Sequence, residues 1–125
     1  MGKTLTIRIS SLDEGLKRFR AAYKAVAAGR PVVRREGVYF TSLEAARNLL
    51  TPSRLALLRA VRTKRPHSMY ELAKMVGRDL KNVQGDLQTL ERYGLVRVTG
   101  GHSIGRRRVK TPHAMFGEIA LRIAI

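Results

Sequence analysis

The stretch from Lys81 to Arg92 holds the most chemically specific pattern in the chain. Lys81, Asn82, Gln84, Gln88 and Arg92 project from one side of a helical wheel, opposite Leu80, Val83, Leu87 and Leu90. An Asn or Gln amide offers a donor and an acceptor together, as an adenine edge requires in the major groove. Lys and Arg suit guanine acceptors or phosphates. Gly85 interrupts this face at a cost of about 1 kcal/mol relative to Ala, read either as close approach to a groove wall or as simple tolerance. A second cationic group follows at Arg106, Arg107, Arg108 and Lys110. Successive arginines in a strand alternate sides, so at least one faces outward, where a guanidinium can clamp phosphates or enter the minor groove. Ser68 and Tyr70, which open the preceding helix, and Arg78, in the turn that follows it, complete the candidate contact set.

Three helical segments in quick succession must position these groups. Thr51-Pro52 starts the first, with proline at a position whose missing N–H costs nothing, and Leu55, Leu58 and Val61 are its expected core residues. Arg65-Pro66-His67 ends it after Lys64. Ser68-Met-Tyr-Glu71 reads as a capping box for the second, which contains Leu72, Ala73 and Val76 and stops at Gly77. Asp79 caps the third, Gly94 supplies a left-handed C-terminal residue, and Leu95 the apolar contact beyond it. Two short helices across so tight a turn match a helix-turn-helix. A hairpin is expected next, with Leu95–Val98 as one strand, residues 99–105 as a flexible loop and Arg106–Lys110 as the returning strand. That addition makes a winged helix.

The flanks read differently. Thr4–Ile9 and the set Ile119, Leu121, Ile123 and Ile125 alternate with period two, so both are expected strands that pair within one chain or between two. Ser11-Leu-Asp-Glu14 caps an amphipathic helix over Leu12–Ala28, closed by Gly29. Thr41-Ser-Leu-Glu44 caps another, and residues 32–40 suggest a short extended stretch or hairpin. The expected organisation is α+β. Residues 1–50 form a strand-helix-strand-helix extension serving as a dimer or partner surface, 51–113 the winged helix-turn-helix, and 114–125 a C-terminal strand.

The 125 residues carry 25 Lys+Arg against 9 Asp+Glu, a net charge of +16, and a field of that sign captures polyanions. Residues 51–113 contribute +10 of it, whereas 114–125 hold one acid and one base. Without cysteine there is no disulfide, thiolate chemistry or cysteine-ligated zinc. His67, His102 and His113 lack metal-site spacing, the acids sit mostly at helix starts, and no glycine-rich phosphate loop precedes a helix. The expectation is a protein without enzymatic activity, cofactor or metal. No apolar run reaches membrane-span length, so a cytoplasmic, nucleoid-associated protein is expected.

Leu50–Arg59, Ser68–Ala73, Val76–Val83 and Leu90–Val96, together with Gly37–Glu44 and the Thr4–Ile9 start, give a resemblance to a group of prokaryotic winged-helix predicted transcriptional regulators. These are MarR-like or ArsR-like in fold, and some are antitoxin-like. The resemblance implies binding of double-stranded DNA, homodimerisation and autoregulation. The sequence departs from the group at Gly85, where a basic residue is more typical, and in its surplus charge. Two other readings accompany the regulator: an antitoxin-like module with a toxin-like protein partner, suggested by the neutral apolar end, and a nucleoid-type binder of low specificity.

Overall fold

Alternation of Leu5, Ile7 and Ile9 with Thr4, Thr6 and Arg8 gives one apolar and one polar side to a strand, and the chain uses it as the centre of a sheet. The computed structural model describes residues 3–10, 32–34, 37–104 and 107–125, with only the backbone of 32–34, 101–104 and 107–108. The helix expected over Leu12–Ala28 lies outside the described residues. Those residues are mixed α+β and divide into two compact units, Met1–Leu49 with Glu118–Ile125, and Leu50–Gly117.

In the first unit, β1 (Thr4–Ile9) lies between β3 (Gly37–Phe40) and β6 (Glu118–Ile123), parallel to both. β2 (Val32–Arg34) pairs antiparallel with β3, giving the order β2-β3-β1-β6. The two terminal strands therefore pair within one chain, in unbroken register from Thr4 opposite Glu118 to Ile9 opposite Ile123. Leu5, Ile7, Ile9, Val38 and Phe40 are all buried, as are Ala46 and Leu49 of helix α1 (Leu43–Leu49). The cap of α1 is Ser42 and not Thr41. Its hydroxyl accepts from the Ala45 N–H at 3.2 Å, one residue later than the S/T-x-x-E spacing suggested. Glu44 thus falls in the first helical turn, where its charge opposes the positive end of the helix dipole.

The second unit is built from α2 (Pro52–Lys64), α3 (Met69–Val76), α4 (Leu80–Arg92) and the antiparallel pair β4 (Val96–Ile104) and β5 (Arg107–Ala114). Caps set the boundaries. The Thr51 hydroxyl accepts from Arg54 N–H at 3.2 Å, the Ser68 hydroxyl from Glu71 N–H at 3.0 Å, and the Asp79 carboxylate from the N–H groups of Lys81 and Asn82. Gly77 (φ +66°) and Gly94 (φ +81°) take the left-handed conformation that ends α3 and α4. At both ends the following N–H reaches back five residues, Arg78 to Ala73 and Leu95 to Leu90, closing orphan carbonyls. Arg65 ends α2 at φ +46°, because the proline that follows disfavours the helical region at that residue.

Two expectations shift. In α2 the buried positions are Leu57, Ala60 and the expected Val61, with Leu55 and Leu58 only half-buried. This helix is apolar on more than one side and packs against α3, α4 and β5, which rotates its core face from the one expected. In the hairpin, residues 99–104 are paired strand and not loop: Thr99 faces Thr111 and His102 faces Val109. Between those pairs β4 spends three steps and β5 two, so Gly100-Gly101 absorbs a bulge where a free loop was expected. Among the described residues, no helix is long and apolar enough to cross a membrane.

Gly37 is required by a close approach: a Cβ there would overlap the Thr6 carbonyl oxygen across the β1–β3 pair. Gly37→Ala is therefore expected to destabilise the chain by about 1–3 kcal/mol, read as a lower urea midpoint.

Candidate nucleic-acid interface

α4 owes its orientation to three residues. Val83, Leu87 and Leu90 are fully excluded from solvent, and Leu57, Leu72, Leu95 and Val96 bury against the same centre. With that stripe fixed inward, Lys81, Asn82, Gln84, Gly85, Gln88 and Arg92 are all exposed. Leu80, at the start of the stripe, is half-buried.

A cleft of about 330 Å³ adjoins this face, lined by Ser68, Met69, Tyr70, Leu80, Gln84, Val109 and Lys110. It brings together four candidate residues from three elements: Ser68 and Tyr70 at the start of α3, Gln84 on α4 and Lys110 on β5. Ser68 is half-buried and already engaged as the α3 cap. Tyr70 is half-exposed, with the Lys74 ammonium 4.8 Å from its ring centre. Lys110 is exposed. Arg106 lies outside the described residues. Arg107 and Arg108 belong to β5 by their backbone, opposite Ile104 and Ser103.

Arg78 is the exception among the candidates. Its Nη2 donates to Asp86 Oδ2 at 2.7 Å, while the Nε of Arg54 donates to Asp86 Oδ1 at 3.1 Å. One carboxylate thus joins α2, the turn after α3, and α4, with all three side chains less than one-third exposed. The Nη1 of Arg78 is buried without a hydrogen-bond partner. Held this way, Arg78 braces the turn between α3 and α4. The sequence reading missed Asp86. Its one signal was an acid in the middle of a basic helix, next to the apolar stripe and away from any cap.

Further polar contacts tie the hairpin to the helices. Glu91 accepts the Val98 N–H at 3.1 Å, and the Thr111 hydroxyl donates to the His67 carbonyl at 2.7 Å. Thr99 and His113 meet across the β4–β5 pair at 2.9 Å. As a result His67 and His113, distant in sequence, line one cleft of about 420 Å³ with Arg62 and Arg65, and no carboxylate borders it. Among the described residues, no cluster of His, Asp or Glu is placed to hold a metal ion.

Two expectations follow. Asp86→Ala removes the carboxylate that accepts from both partly buried guanidiniums and should destabilise the protein by about 1–3 kcal/mol, measured by chemical denaturation. At Gly85 a Cβ would meet nothing within 4 Å, and the backbone conformation is one any residue adopts. Gly85→Ala should accordingly raise stability by about 1 kcal/mol, seen as a higher melting temperature.

No protein of curated function shows a significant match to the sequence. Three solved structures show a partial likeness to this chain. A possible transcriptional regulator from Methanosarcina mazei Go1 shares 14% identity over 69% of this chain and 74% of its own, with a TM-score of 0.46. A conserved hypothetical protein from Chlorobium tepidum shares 21% over 82% and 69%, with a TM-score of 0.40. ScpB from Mycobacterium tuberculosis shares 16% over 82% and 79%, with a TM-score of 0.39. At scores this low the likeness carries no argument about fold or function. The sequence match is more decisive, because residues 49–121, more than half of the chain, fit the family HVO_A0114. The chain belongs to the HVO_A0114 family.

Proposed function

We propose that residues 50–117 are a winged helix-turn-helix that binds double-stranded DNA, with α4 in the major groove and the β4–β5 hairpin as the wing. The observation that carries this reading is the outward face of α4. Lys81, Asn82, Gln84 and Gln88 stand exposed on a helix whose opposite side is locked into a core, in a unit with fourteen basic and four acidic side chains. Base edges are read by such amides on a rigid helix, while affinity comes mostly from cations on phosphates. The cleft bordered by Tyr70, Gln84 and Lys110 suits a sugar-phosphate strand passing between helix and hairpin.

In this proposal the protein is a sequence-selective, non-enzymatic transcriptional regulator of the MarR-like or ArsR-like kind. It works as a homodimer whose two copies read half-sites about 34 Å apart. A second reading, a binder tolerant of most sequences, is favoured by the net charge of +16.

Selection of bound fragments from random duplex DNA at near-physiological salt, followed by footprinting, separates the two. A recovered motif supports the regulator, indifferent recovery supports the general binder, and no recovery overturns both. Lys81→Ala and Lys110→Ala should weaken binding to all sequences and flatten the dependence of log K on log salt by up to about 0.9 per lost phosphate contact. Asn82→Ala or Gln88→Ala should instead change which sequence is preferred, at a cost of about 1–3 kcal/mol at the affected base pair. If both amide variants keep the parent preference and affinity, α4 does not read the groove.

A further inference from the structure

We propose that the free edge of β6 is a self-complementary interface, through which two copies of this chain join their sheets antiparallel about a two-fold axis at Ala120. This goes beyond DNA binding and does not depend on it.

Among the described residues, nothing pairs with the outer edge of β6. In the order β2-β3-β1-β6, one border strand is the three-residue β2 and the other is the six-residue β6, which pairs with β1 without a bulge and contains no proline. Edge strands are usually blunted by proline, bulges or inward charges, because their unpaired N–H and C=O groups template association. β6 also carries apolar side chains past the core: Leu121 is 49% and Ile123 50% exposed, although their β1 neighbours Ile7 and Ile9 are buried.

The backbone fixes which groups point outward. The Ala124 N–H donates to the Ile9 carbonyl, so the even residues 120, 122 and 124 bond toward β1. Alternation turns the N–H and C=O of Ile119, Leu121 and Ile123 to the free side. An antiparallel copy can bond to those odd residues, and a register centred on Ala120 makes Ile119 and Leu121 of opposite copies a hydrogen-bonded pair.

Charge favours that register over the two nearest ones with the same hydrogen-bonding pattern. With Ala120 on the axis, Glu118 of each copy faces Arg122 of the other. Both sit in non-hydrogen-bonded pairs, where Cα atoms are closest at about 4.5 Å. Moving the axis to Arg122 or to Glu118 sets like charges against each other, which is destabilising. Among the described residues the only partner recorded for Glu118 is a 3.5 Å contact from Thr4 Oγ1, too long to hold it firmly. The segment 114–125 has one acid and one base in a chain of net +16, so it is where two like-charged copies can approach with least repulsion. An isologous contact of this kind closes at two copies.

The chain has no cysteine, which makes a single introduced thiol a clean reporter. At the proposed axis, Ala120→Cys places two thiols within disulfide reach, about 4.4–6.8 Å between Cα atoms. Under mild oxidant without DNA, it should form a covalent dimer far faster than Thr63→Cys, an exposed control on α2. Sedimentation of the full chain should show a dimer that Glu118→Arg or Arg122→Glu each weakens at least about tenfold. The double swap Glu118→Arg with Arg122→Glu should restore it to within a few-fold. Leu121→Lys, at a half-exposed position the monomer tolerates, should abolish the dimer, with circular dichroism reporting an intact fold. Cross-linking of Ala120→Cys no faster than the control, a monomeric parent chain, or a double swap that fails to rescue its single reversals would each overturn the interface.

Discussion

The second unit depends on the burial of one narrow stripe on α4. Val83, Leu87 and Leu90 lose all contact with water, and each such side chain contributes about 1.5–3 kcal/mol over leaving it exposed. Because the stripe covers little of the helix circumference, Lys81, Asn82, Gln84, Gly85, Gln88 and Arg92 are left facing solvent. Rotating the helix to bury Asn82 or Gln88 would remove an amide from water without a partner and expose a leucine. The same three apolar contacts therefore hold the fold together and aim the polar face.

Charge is the second constraint. Fourteen cations in 68 residues repel one another, and the four acids of this unit are used inside it. Asp79 caps α4, Glu71 sits in the first turn of α3, Asp86 joins Arg54 to Arg78, and Glu91 takes the Val98 N–H. These contacts draw the carboxylates toward backbone donors and guanidiniums, and the ion pairs seen among the described residues involve Arg54 and Arg78, not the exposed Lys81 and Arg92 of α4. A positive outer face follows from where the negative charges are needed.

The two units differ in how their chain is connected. The second is contiguous, and most of its contacts join neighbouring elements. The first needs both ends of the chain, since β1 and β6 are separated by 114 residues at their first register pair. Closing so long a loop costs entropy before the strand pairing offsets it. Local contacts thus favour early formation of the helical unit, with the sheet completed when Glu118–Ile123 returns.

The sequence by itself determined the local features. The Ser68 and Asp79 caps, the left-handed Gly77 and Gly94, the boundaries of α2, the period of β1 and the inward stripe of α4 all depend on residues within about one or two turns of each other. Patterns of that range are legible because the interacting groups lie close along the chain. The tertiary structure alone decided what crosses that range. It moved the core face of α2 to Leu57, Ala60 and Val61 and turned residues 99–104 into a bulged strand. It also paired Arg78 with Asp86, gathered His67 and His113 into one cleft, and set β1 and β6 parallel. Each of these joins different elements of the fold, where many partners satisfy the same residue types and only packing of the whole unit selects one.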